Sequence, residues 1–490
     1  MAKKPNLVLI TIDSLRADHL GCLGYGEGVS PRIDRLAAQG TLFRQAIANG
    51  PRSPASFPAL LASIYLSSAG GHGIPPGTVT LAEALRREGY ATAGFCGGNP
   101  YISSYFGYDQ GFDLFRDFLA PGAQKGDPGP RPAGRRPLKK LLDRILGKNA
   151  LHDPAFLLFA GTLRGKKNVA DTSKSETEYP FEAGEELNRQ ATAWLDSLAE
   201  GPFFLWLHYM DVHFPHLPRV PRHRPLDYGR FALALAGVLL RRYSFPRRVM
   251  IDLYDDRIRD TDRIVGQLLA QLQTRGLEEN TLIALTADHG EEFLEHGGWG
   301  HGAKLYDELL RVPLIVKGPG LAPGEVVEQQ IGLVDLPPTL LDLLGIKGRG
   351  EAFEGASFLP RLVKSREDGK GPHVFSEALH LGGRRPPFWE EVGAGKPLYR
   401  IRSCRTGDWK YIWDEEGDQE ELYNLSRDSR EAENVATHEP EMARQLASVL
   451  ADHFSRFTAA GPAAGRVPQR PLSAEEEQEI VHRLRGLGYY

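Results

Sequence analysis

The sequence predicts an α/β protein: a large, mostly parallel sheet flanked by helices, followed by a small C-terminal α+β subdomain. Three observations carry this. Short apolar runs at residues 7–12, 203–207 and 281–285 read as strands buried on both faces. Amphipathic helical patterns stand between them, notably at 182–200 and 253–275. Beyond residue 376 the style changes: residues 399–405 and 409–413 read as antiparallel strands around the turn Thr406-Gly407-Asp408.

The elements follow in order. Residues 7–12 form a central parallel strand ending at Asp13. Ser30 caps a helix with Pro31 in its first turn, running to Gly40. Residues 48–63 begin turn-rich and end helical, which sets the Ser53 and Ser56 hydroxyls at a helix N-terminus. Free amides and the macrodipole there favour an anion, although ordinary serine capping explains them equally. Thr80 and Glu83 read as a capping box for the helix at 81–87. A strand at 90–95 follows, with Asn99 just past its end. About residues 121–170 the chain is rich in Pro, Gly, Lys and Arg. This reads as a surface insertion, basic enough to attract an acidic substrate but explained as well by solvation.

Helix 182–200 leads into the strand at 203–207, which ends on His208-Tyr209-Met210-Asp211-Val212-His213-Phe214-Pro215-His216. Helix 253–275, with Gly276 as its C-cap, feeds the strand before Asp288. An apolar run at 312–316, another strand after Gly320 and a helix at 336–345 complete the main domain, read as residues 1–375. Residues 376–490 form the subdomain, with a third short strand at 421–423 and a last helix at 439–454.

The chain of 490 residues, 41% of them hydrophobic, can bury a large core. A net charge of −4 argues against a nucleic-acid partner. Cys22, Cys96 and Cys404 lack close pairing, which argues against a disulfide framework or a zinc–thiolate site. No charged-then-apolar leader precedes the first strand, and the longest apolar run, 232–240, is too short to span a bilayer. The expectation is a cytoplasmic protein with no membrane span. Oligomeric state is not legible.

The chemistry concentrates where strands end. Asp13, Asp288 and His289 stand at the carboxyl edge of the expected sheet, where ligands sit in open α/β folds. Asp oxygens and a His nitrogen suit a divalent cation. Taken singly, each acid also reads as a helix cap. The cluster of His208, Asp211 and His213 adds imidazoles that could donate to an anion or hold metal. His301 and Lys304 follow the Asp288-His289 pair.

Together, and in this order, these segments resemble the sulfatase branch of the alkaline phosphatase superfamily, over nearly the whole chain. Asp13 matches the first metal-ligand acid, in Asp13-Ser14-Leu15-Arg16-Ala17-Asp18. Asp288 and His289 match the second ligand pair. His301-Gly302-Ala303-Lys304 matches the segment whose Lys grips the substrate anion, and His213 the mid-chain His. Residues 335–341 and 421–425 also look like family signatures. Counting back from Leu60-Leu61 puts Ser53 at the nucleophile position of the Cys/Ser-x-Pro-Ser-Arg pattern. Ala55 replaces its Pro and Phe57 its Arg; Ser14 and Asn99 replace an acid and a basic residue that many members carry.

The resemblance implies hydrolysis of a sulfate ester, on a small molecule or saccharide. It implies one divalent cation on Asp13, Asp288 and His289: calcium or magnesium, with manganese or zinc left open by the imidazole. Ser53 is the nucleophile, as formylglycine or as serine. His301 protonates the leaving alcohol, Lys304 and His213 neutralise the anion, and Asn99, Arg52, His208 and Asp211 contact substrate. Arg52 or Arg16 is expected to stand in for the missing Arg. The alternative is a phosphodiesterase or phosphomonoesterase using unmodified Ser53, with a second metal on His208, Asp211, His213 and His301. A non-catalytic binding protein is the reading from another class.

Overall fold

The computed structural model describes residues 3–26, 28–70, 73–118, 183–214, 244–347, 352–359, 372–380 and 399–458. The expected insertion at about 121–170, His216 and the apolar run at 232–240 lie outside them.

In chain order the main domain runs β1 (Asn6–Ile12), α1 (Pro31–Ala38), β2 (Thr41–Ile47), α2 (Ser53–Ala62), α3 (Leu81–Arg87), β3 (Ala91–Cys96) and β4 (Leu114–Arg116). Next come α4 (Gly184–Ser197), β5 (Phe203–Tyr209), the long α5 (Ser244–Thr274) and β6 (Thr281–Ala287). The small hairpin β7 (Glu292–Phe293) and β8 (Trp299–Gly300) precedes α6 (Asp307–Leu310), β9 (Arg311–Lys317), β10 (Glu325–Val327), β11 (Ile331–Gly332) and α7 (Leu336–Leu343). The C-terminal unit holds β12 (Val374–His380), β13 (Tyr399–Arg405), β14 (Trp409–Asp414), β15 (Gln419–Asn424) and α8 (Pro440–Thr458). No described helix is long and apolar enough to cross a membrane.

The main sheet has nine strands in the order β10-β2-β9-β6-β1-β5-β3-β4, with β11 also paired to β2. It is parallel except at β9, which runs antiparallel to β2 and β6. Every residue of β1, β5 and β6 is buried. Such strands read as unbroken apolar runs, which is why the sequence shows them plainly. The register aligns Ile12 with both Tyr209 and Ala287. The residues that follow these three positions therefore leave the sheet together, and Asp13 arrives beside Asp288.

The short strands β4, β7 and β8 escaped the sequence reading, and so did two longer ones, β2 and β12. Arg44 and Gln45 interrupt the apolar pattern of β2, and a register shift between Phe43 and Ala46 accommodates them. β12 adds a fourth strand to the C-terminal sheet, so the expected boundary near residue 376 falls inside it. The caps differ in source. Thr80 and Glu83 form the expected capping box, and Gly276 takes the left-handed conformation, with φ +64°. Ser30 does not cap α1: the Asp262 carboxylate of α5 accepts the Arg32 and Ile33 amides, each at 2.8 Å.

A buried ionic cluster ties α6 of the main domain to the C-terminal sheet. The Lys410 ammonium of β14, fully buried, donates to Asp307 Oδ1 at 2.9 Å and lies 2.8 Å from Glu431 Oε1. Arg405 adds a bond to Asp307 Oδ2 at 3.1 Å. Burial opposes the Asp307 charge, but Arg405 and Lys410 outweigh it and hold that carboxyl below its usual range. Lys410→Met would leave buried carboxylates short of a partner. The expected loss is about 3–5 kcal/mol of unfolding free energy, measured by urea denaturation.

Candidate active site

The site grows from the ends of β1 and β6. Asp13 is fully buried, and the Ser14 hydroxyl donates to its Oδ1 at 2.8 Å. Ser14 itself sits at φ +59°, a left-handed conformation that costs a non-glycine residue free energy. It is fixed there because its amide donates to Asp288 Oδ1 at 3.3 Å. His289 N–H donates to the same oxygen at 3.0 Å. Gly290 is required for close approach: a Cβ there would lie 2.0 Å from the Glu308 carbonyl oxygen.

His289 Nδ1 faces the Gly290 carbonyl at 2.8 Å, and a carbonyl only accepts. Nδ1 therefore carries the proton, and Nε2 turns a lone pair inward. That nitrogen lies 3.4 Å from Asp288 Oδ2 and 3.8 Å from Asp13 Oδ1. Burial holds the His289 ring down to about 3, so it is neutral. Asp288 Oδ2 is buried and has no hydrogen-bond partner among the described residues. Burial and then the Asp13 charge push the Asp288 carboxyl well up. Burial also works against Asp13, but His213, His208 and His289 hold its carboxyl well below the usual range. One atom from each of Asp13, Asp288 and His289 lies within 4.8 Å of the others. Lone pairs converging on one buried point, one of them unpartnered, fit a divalent cation.

Ser53 opens α2, with Arg52 as the extended N-cap. Its hydroxyl donates to Asp13 Oδ2 at 3.2 Å and lies 3.5 Å from His289 Nε2. Asn99 Nδ2 donates to Ser53 Oγ at 3.1 Å and to Asp13 Oδ2 at 3.2 Å. The Tyr101 amide takes Asn99 Oδ1, which fixes the side chain's orientation. Ser56 is buried too, but its hydroxyl has no hydrogen-bond partner among the described residues.

The imidazoles close around this core. His208 Nε2 lies 3.4 Å from Asp13 Oδ2, and its Nδ1 is 3.0 Å from Thr11 Oγ1. Phe57 packs edge-on against the same ring, with centroids 4.8 Å apart. His213 Nε2 is 3.9 Å from Asp13 Oδ1. The His301 ring lies 4.4 Å from that of His289 and 4.9 Å from that of His213. Burial lowers His301 to about 4; Asp13 opposes this and Arg52 adds to it.

Three expected residues stand apart. Lys304 donates to both oxygens of Glu292 at 2.9 Å and to the His296 carbonyl at 2.7 Å. Arg16 is committed to Asp18, to Glu295 and to the Glu291 carbonyl. Asp211 lies against the amino end of α4, where the Gly184 amide donates to it at 3.5 Å. Two residues went unassigned in the sequence. Ser14 is one. Glu291 is the other: it is 1% exposed, with Oε1 3.3 Å from His301 Nδ1. Its place two residues after His289 was the available signal.

A sulfatase family model matches residues 5–346, and a model for the C-terminal part of N-sulphoglucosamine sulphohydrolase matches residues 295–458. The chain is 24% identical to arylsulfatase K of Danio rerio over 474 residues, covering 91% of this chain and 83% of that protein. Among solved structures it is similar to the phosphonate monoester hydrolase of Agrobacterium radiobacter, with TM-score 0.65, 21% identity, and 92% and 96% of the two chains covered. A second, solved in complex with its substrate D-glucosamine-2-N,6-O-disulfate, gives TM-score 0.64 at 18% identity, covering 95% and 100%. With more than half of its length matched by the family model and the expected strand-end residues gathered at one point, the chain belongs to the sulfatase family.

Proposed function

We propose that this member of a sulfate-ester-hydrolysing family attacks its substrate from residue 53, beside one divalent cation held by Asp13, Asp288 and His289. The observation that carries this is the Ser53 hydroxyl, 3.2 Å from one proposed ligand and 3.5 Å from another. A bound cation would polarise a non-bridging oxygen of the ester and favour the ionised nucleophile. The carboxylates suit calcium best, or magnesium; the imidazole admits manganese or zinc.

The chain's own groups do the rest. Asp13 accepts the residue 53 proton, and Asn99 holds that oxygen in place. His213 faces the equatorial oxygens as they gain charge. His301 gives its proton to the departing alcohol; Glu291 fixes its ring, and an anionic substrate beside the ring favours the protonated form. If residue 53 is formylglycine, one hydroxyl of its hydrate attacks sulfur and the alcohol leaves. Loss of the other hydroxyl's proton then restores the aldehyde and expels sulfate. The D-glucosamine disulfate bound by the structural neighbour supports a saccharide sulfate as substrate.

A second reading rests on Phe57. Where the family pattern has Arg, this side chain is fully buried against His208. An unmodified Ser53 would form a covalent ester that water must cleave, which suits phosphorus. Mass spectrometry of the peptide around Ser53 separates the two, since formylglycine lacks two hydrogens, about 2 Da. Turnover of 4-nitrophenyl sulfate against phosphate mono- and diesters ranks them. An unmodified Ser53 in protein made with its maturation partner overturns the formylglycine route.

Metal removal supplies an independent check. EDTA is expected to abolish turnover and lower the melting temperature. Restoring the cation at a hundredfold excess over Kd should return about 2.7 kcal/mol of stability, seen by calorimetry.

A further inference from the structure

The family's basic grip on the substrate anion needs a cation, and three, Arg16, Lys304 and Arg52, come into question among the described residues. Two are committed. The Arg16 side chain, 6% exposed, spends its guanidinium on Asp18, Glu295 and a carbonyl. Lys304 carries three N–H groups, and Glu292 Oε1, Glu292 Oε2 and the His296 carbonyl oxygen lie within 2.9 Å of its nitrogen. Glu292 Oε1 also accepts the His296 and Gly298 amides, at 3.1 Å and 2.6 Å. The pair thus closes the β7–β8 hairpin on itself.

Arg52 differs. It directly precedes Ser53 and is half-buried. No carboxylate lies within ion-pairing distance of it among the described residues. One nitrogen, Nη2, donates to the Leu379 carbonyl of β12 at 3.1 Å. A guanidinium anchored through one nitrogen keeps its remaining donors for two oxygens of an anion.

We propose that Arg52, steadied by the C-terminal sheet, is the cationic contact for the ester anion in this chain, and that Lys304 serves as the clasp of the β7–β8 hairpin. The inference rests on the reading of the site given above. It makes the second sheet a contributor to anion binding, and it places the missing basic residue five positions before Phe57.

The test uses the metal-loaded full chain. KM and kcat for 4-nitrophenyl sulfate, and the inhibition constant of inorganic sulfate, are measured in the parent, Arg52→Met, Arg52→Lys, Lys304→Met and the double variant Glu292→Gln/Lys304→Met. Arg52→Met is expected to raise KM and the sulfate constant about tenfold or more, with Arg52→Lys between it and the parent. The double variant, which leaves no unpaired buried carboxylate, should hold the sulfate constant within about twofold while its melting temperature moves. An unchanged sulfate constant in Arg52→Met, or a tenfold rise in the double variant, overturns the proposal. A parent that turns over bis(4-nitrophenyl) phosphate but not the sulfate ester displaces the sulfatase reading alone. The same variants then decide the role of Arg52 with that diester. A parent that binds neither ester nor sulfate overturns both.

Discussion

Ser53→Ala is expected to lose about a thousandfold or more in kcat while the fold stays intact. The hydroxyl is the proposed nucleophile; it lies 3.2 Å from Asp13 Oδ2 and accepts a hydrogen bond from Asn99. Removing it costs little stability, because Asn99 continues to donate to Asp13 Oδ2. The change in unfolding free energy should stay within about 1 kcal/mol. Circular dichroism and steady-state kinetics on the same preparation measure both. Full activity in the alanine variant would show that another oxygen attacks.

Asp288→Asn should separate catalysis from stability. The amide can keep both bonds that Asp288 Oδ1 now accepts, from Ser14 and His289. Its nitrogen would replace Oδ2, which lies 3.4 Å from the His289 Nε2 lone pair and has no hydrogen-bond partner among the described residues. A like charge beside Asp13 disappears, and a donor replaces an orphaned acceptor. Without metal, the variant is expected to match the parent or exceed it by about 0.5–2 kcal/mol. With metal, it should lose the cation-dependent rise in melting temperature and about a thousandfold in turnover. A variant that still melts higher with calcium and lower with EDTA would remove Asp288 from the ligand set.

Sites of this kind are partly legible in one dimension. Asp13, Asp288 and His289 could be read because each follows an unbroken apolar run, and such runs end at one edge of a parallel sheet. The place of Ser53 at the start of α2 was legible from turn residues giving way to a helix. Partnership was not. Lys304 looks like an anion-binding lysine until Glu292, twelve residues earlier, is seen to hold it through the hairpin. Asp211 sits among histidines in the sequence but lies against α4 in space. β2 stayed hidden because a bulge lets Arg44 and Gln45 interrupt its pattern. The carbonyl that steadies Arg52 comes from residue 379, and backbone groups carry no sequence signal at all.

The Lys410 cluster has a consequence for how this molecule comes apart. Its charges come from α6 of the main domain and from the C-terminal unit, so neither can loosen without stranding ions in a dry interior. Melting should therefore be a single cooperative event, with loss of the antiparallel sheet and loss of turnover at the same temperature. A chain cut short before Val374 would expose Asp307 and also lack the carbonyl beside Arg52. Truncation should cost solubility and anion affinity at one stroke.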